Sequence, residues 1–103
     1  MTTPITVDIP HSLGRIEARR RIETGFASIV RQLPGGSGTH SERWEGDRLV
    51  FAVSGLGQTI SGIVEVRDAT VNMQIELPAV LGLVARGVGA RLRQAGRLLL
   101  TRK

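Results

Sequence analysis

Few side chains in this chain could do covalent or acid–base chemistry: two histidines, six serines and nine carboxylates, with no cysteine. His11 and His40 fall in predicted loops beside strands. No HxH or HxxxH spacing brings two imidazoles onto one metal ion. Ser12, Ser28, Ser37, Ser41, Ser54 and Ser61 all lie outside the G-x-S-x-G frame that presents a nucleophile on a strand-to-helix turn. The carboxylates are spread over predicted polar faces and turns, with no pair set for glycoside-type acid–base work. Without cysteine there is no thiolate nucleophile, disulfide or cysteine metal site. The glycine-rich stretch PGGSGTH, residues 34–40, follows a predicted helix and lacks the GK[ST] ending of a phosphate-binding loop. These residues predict no catalytic centre, no metal site and no cofactor, hence a protein that is not an enzyme.

The distinctive chemistry is charge. The chain carries a net +5, and thirteen of its fourteen basic residues are arginine. Residues 79–103 hold Arg86, Arg91, Arg93, Arg97, Arg102 and Lys103 with no acid, a local +6. The first 78 residues carry eight basic and nine acidic groups. Arg86, Arg93 and Arg97 cluster on one predicted helix face and are the candidate contacts to an anionic surface. No aromatic residue interleaves with them, which disfavours a nucleic-acid-binding regulator. No Trp or Phe stands on that helix to anchor it in a lipid interface. The apolar stripe is needed for the core, so any surface attachment is expected to be mainly electrostatic.

The elements that position these residues follow from periodicity. PITVDI, residues 4–9, alternates as a half-buried strand. Ser12 is the expected N-cap of a helix reaching to about Leu33, with Ala18, Ile22, Phe26, Ile29, Val30 and Leu33 on its apolar stripe. Leu13 and Ile16 lie off that stripe and are expected to be less buried. The PGGSG loop is expected to be the most mobile internal segment, with fast amide exchange from Gly35 to Thr39.

Period-two runs then predict strands at SERWE, RLVFAVSGL, QTISGIVEV and VNMQIEL, with turns at Gly46-Asp47, at Gly55–Gly57 and at Asp68. A final helix starts at Pro78. Its stripe is Leu81, Val84, Ala85, Val88, Leu92, Ala95 and Leu99. Gly82, Gly89 and Gly96 recur every seven residues along one flank, either to admit a close neighbour or because sheet packing tolerates them. The order β-α-β-β-β-β-α predicts an α+β fold: a five-stranded antiparallel sheet with both helices on one face, and the first strand paired with the last.

At 103 residues and 41% hydrophobic, the chain is expected to form one domain over 1–103 with a single core. No apolar run approaches the roughly 20 residues of a transmembrane helix, and the N-terminus lacks the pattern of a secretory signal. A cytoplasmic location is the expectation.

Three segments together resemble a known family: PITVDIPHSLGRIEARRRIETGF, RWEGDRLVFAVSGLGQTISGIVEVRD and LPAVLGLVARGVGARL. Within them stand the W-x-G-D-x-L-x-F pattern of Trp44–Phe51 and a G-x-V-x-V strand at Gly62–Val66, followed by Leu77-Pro78. They resemble the polyhydroxyalkanoic acid system family, over essentially the whole chain. The resemblance implies an accessory role at polyhydroxyalkanoate storage granules, with the granule surface or a granule protein as partner. It brings no catalytic or binding residue with it. The alternatives are a nucleic-acid-binding regulator acting through Arg86, Arg93 and Arg97, and a small carrier of an acyl or lipid group with a reduced helix-grip-like fold. The carrier's candidate apolar pocket comprises Trp44, Phe51, Ile60, Met73 and Leu92.

Overall fold

A computed structural model describes residues 2–33, 39–55 and 57–101. In chain order these form β1 (Thr2–Pro10), α1 (Arg15–Val30), β2 (Thr39–Glu45), β3 (Arg48–Gly55), β4 (Gln58–Val66), β5 (Thr70–Pro78), a 3-10 helix (Ala79–Val84) and α2 (Ala85–Leu100). Strands β2 to β5 are a meander, and β1 pairs antiparallel with β5, giving the sheet order β1-β5-β4-β3-β2. This is the α+β arrangement the sequence predicts.

Alternation decides the inner face. Val7, Ile9, Leu49, Phe51, Val53, Ile60, Val64, Val66, Val71, Met73, Ile75 and Leu77 are all buried there. The ladder sets Val7 opposite Met73 and Ile9 opposite Val71. Gly46 and Gly57 turn the hairpins with φ of +64° and +74°, a region that side-chain-bearing residues rarely adopt. On the outer face Asn72 is buried although its strand pattern points it outward. Its Nδ2 donates to Asp8 Oδ1 at 2.7 Å, and its Oδ1 accepts from Gln74 Nε2 at 3.0 Å.

Gly62 faces inward by the alternation of β4, and Phe51 occupies the space a side chain would need there. A Cβ there would lie 2.7 Å from both Phe51 Cζ and Ile75 Cδ1, and 2.9 Å from the Gln74 carbonyl oxygen. Gly62→Ala is therefore expected to destabilise the protein by about 1–3 kcal/mol despite alanine's lower chain entropy. Urea denaturation checks this, and an unchanged midpoint would show that Phe51 can move aside.

Both helices lie on the inner face. The α1 stripe of Ala18, Ile22, Phe26, Ile29 and Val30 is buried, and Leu33 beyond the helix is buried too. Ile16 is 87% exposed, as its position off the stripe requires. Helix α2 runs beside α1 in the opposite direction: Gly25 meets Leu99, and Arg31 lies near Arg91.

The structure corrects several boundaries. Helix α1 starts at Arg15 with Gly14 as N-cap at φ +79°, not at Ser12. The His11 ring holds this turn: Nδ1 accepts from the Leu13 N–H at 3.1 Å, and the opposite ring nitrogen meets the Arg67 carbonyl at 3.1 Å. Ser12 thus lies inside a histidine-pinned turn, short of the helix. At its other end α1 stops at Val30, and Arg31–Leu33 form a turn. His40 belongs to β2, not to a loop. The PGGSG loop, residues 34–38, lies outside the described residues, and Thr39 opens β2.

The largest correction is at the final helix. Residues 79–84 wind as a 3-10 helix, and the α-helix begins only at Ala85. Residues three apart eclipse in a 3-10 helix, so Val80 and Leu83 share one direction. They project outward, 69% and 101% exposed. Val84, expected on the sheet, is 47% exposed. The stripe that does pack is Val88, Leu92, Ala95, Gly96 and Leu100, with Leu81, Ala85 and Leu99 partly covered.

Candidate functional site

The seven-residue glycine repeat sets how α2 sits. An added Cβ would stand 3.2 Å from Thr3 Oγ1 at Gly82, 3.4 Å from Ile5 Cγ2 at Gly89 and 2.2 Å from Ile9 Cδ1 at Gly96. The three glycines therefore face Thr3, Ile5 and Ile9 along the inward side of β1, with the closest approach at Gly96 and ordinary contact distance at Gly89. With β1 under one flank of α2, the arginines are left on the rest of its circumference.

Arg86, Arg91, Arg93 and Arg97 are all exposed. Arg86 and Arg93 line one open groove of about 530 Å³, together with Pro4–Val7 of β1 and Gly89 and Ala90 of α2. Arg97 is one turn further along the same flank and does not line that groove. Arg91 lies on the opposite flank, where it meets Arg31 of the α1 end in a cleft of about 470 Å³.

Among the described residues, Arg15, Arg19, Arg20, Arg21, Arg43, Arg48 and Arg67 each have a carboxylate within 4.0 Å. Arg31, Arg86, Arg91, Arg93 and Arg97 have none. Charge is thus neutralised over α1 and the sheet and left open along α2.

The paired side of the molecule has its own electrostatics. Glu17 accepts from Arg20 and from Arg21, and these hydrogen bonds, Arg20's first, hold its carboxyl at about 2 instead of the usual 4.5. Arg21 continues to the end of α2, donating to the Thr101 carbonyl at 2.6 Å. A carboxyl pKa depressed on folding adds stability above the unfolded value that is lost as pH falls through the folded one. The Glu17 contribution is therefore expected to disappear between about 4.5 and about 2. Carboxyl NMR titration checks this: a Glu17 midpoint near 4.5 would mean that the arginines do not engage it in solution.

The residues of the candidate apolar pocket do not share one environment. Phe51, Ile60, Met73 and Leu92 are fully buried within the hydrophobic core. Trp44 is half-buried at the sheet's β2 end, with the Arg19 guanidinium 4.5 Å above its ring. His11 is engaged in its turn, and His40 packs its ring edge-on at 6.0 Å from Phe26. Among the described residues no group of three or more His, Asp or Glu side chains is placed to hold a metal ion. No helix among them is long and apolar enough to cross a membrane.

Sequence reasoning missed the outward apolar side chains of the 3-10 helix. Its signal is present in AVLGLV, which is apolar all round and cannot turn every side chain toward one sheet.

No curated protein and no solved structure matches the chain. A family model does, over residues 5–99, described as "Putative polyhydroxyalkanoic acid system protein" and labelled for the granule region. That span runs from within β1 to the last turn of α2. The chain belongs to the polyhydroxyalkanoic acid system family.

Proposed function

We propose that this protein is a non-enzymatic accessory protein of polyhydroxyalkanoate storage granules, cytoplasmic and drawn to the granule surface by the basic flank of α2. Family membership over residues 5–99 supports the granule context. The observation that carries the mode of attachment is the set Arg86, Arg93 and Arg97: exposed, on one flank, and without a carboxylate partner among the described residues. Unpaired guanidinium groups on a common face attract an anionic surface, and bidentate geometry suits carboxylate and phosphate groups. The partner is the granule surface or an acidic protein on it, and the role calls for no cofactor.

A tagged copy in polymer-accumulating cells tests this reading. Signal should concentrate at granule rims and become diffuse in cells grown without polymer. Uniformly diffuse signal under both conditions would overturn it.

A further inference from the structure

We propose that the 3-10 helix, Ala79–Val84, is the element that enters an anionic lipid surface, with Leu83 as its leading side chain. Val80 and Leu83 stack in one direction, 69% and 101% exposed, at the end of the helix layer. Leu83 and Val84 also form one wall of the cleft whose opposite rim carries Arg31, and Arg91 stands beside them. Neither arginine has a carboxylate partner among the described residues, and residues 77–103 contain no Asp or Glu.

A lipid surface offers an apolar layer directly beneath anionic headgroups. The protruding valine and leucine match the first, and the flanking guanidinium groups match the second. Nucleic acid offers the anions without the apolar layer and would leave Val80 and Leu83 in water. The 3-10 winding turns Val84 outward beside Val80 and Leu83, while α2 keeps its own stripe for the core. Attachment is then apolar as well as electrostatic, contrary to the expectation from charge alone.

The wedge deepens the granule reading and takes from it only an anionic surface as partner. The test uses the full chain with vesicles of phosphatidylcholine alone or mixed with phosphatidylglycerol. Because the chain has no cysteine, Leu83→Cys gives a single labelling site for an environment-sensitive dye. Dye emission is expected to shift to the blue on anionic vesicles and to stay unchanged on neutral ones. Leu83→Ser, at a fully exposed position, should fold as wild type by circular dichroism and bind anionic vesicles about tenfold or more weakly.

A dye that stays in water on the bound protein, unaltered affinity of Leu83→Ser, or retention on duplex DNA in place of vesicles would each overturn the wedge. Granule retention without vesicle binding would sink the wedge and spare the granule reading. Leu83-dependent vesicle binding by a protein that stays diffuse in polymer-storing cells would do the reverse.

Discussion

Phe26→Ala is expected to lower the unfolding free energy by about 3–5 kcal/mol. Phe26 is buried at the centre of the α1 stripe, its ring 5.1 Å from that of Phe51 at 69°. That edge-to-face pair adds about 0.5–1.5 kcal/mol beyond the area it buries. The ring also meets His40 of β2 at 6.0 Å, so one side chain ties α1 to two strands. Collapse into the vacated space is restricted. Phe51 is already committed to the Gly62 position, and its backbone is fixed between β2 and β4. Ile16→Ala serves as the control, because its side chain is 87% exposed and should cost within about 0.5 kcal/mol. Chemical denaturation of both variants checks the contrast. A loss below about 1 kcal/mol for Phe26→Ala would mean that α1 presents a different face to the sheet.

The two helices differ in how far their sequence could be read. In α1 every stripe position from Ala18 to Val30 is buried, because a 16-residue α-helix keeps one period throughout. Its start is not legible: Ser12 is a good N-cap by type, whereas the His11 ring and Gly14 settle the turn through a contact to Arg67 in the distant β4–β5 connection. No local rule contains that contact. The strands were legible from alternation, and Gln58–Val66 coincides with the QTISGIVEV run. Asn72 is legible only in direction: its burial comes from Asp8 across the β1–β5 ladder.

In α2 the 3.6-residue period predicts a stripe through Leu81 and Val84, where the winding is 3-10. The shift takes Val84 off the sheet, whereas Leu83 stands opposite Leu92 on an α-helical wheel and is off the stripe in either winding. The arginines were legible as exposed, since α2 buries Val88, Leu92 and Ala95 on the other side. Their lack of acidic partners was half legible. Acid is missing from the C-terminal quarter of the sequence, but only the fold shows Glu17, Glu23, Glu45, Asp47, Glu65 and Asp68 within 4.0 Å of arginines outside α2.

Changing Arg86, Arg93 and Arg97 together to glutamine is expected to weaken binding to anionic vesicles about a hundredfold at low salt, since each cation near such a surface contributes about 1 kcal/mol. The fold should survive. All three side chains are exposed, and the α2 stripe, the glycine contacts with β1 and the Arg21 link to Thr101 are untouched. Raised salt should do to wild type what the substitutions do, because exposed charges are screened beyond about 8 Å at physiological ionic strength. Salt also separates this contribution from that of Leu83. The triple variant should differ from wild type at low salt and converge with it at high salt. Leu83→Ser should remain weaker than wild type at both, because burial of apolar area is not screened. Vesicle co-sedimentation across a salt series reads both. A triple variant that binds as tightly as wild type at low salt would make this flank of α2 a solvated face, with recruitment running through the 3-10 helix or a granule protein.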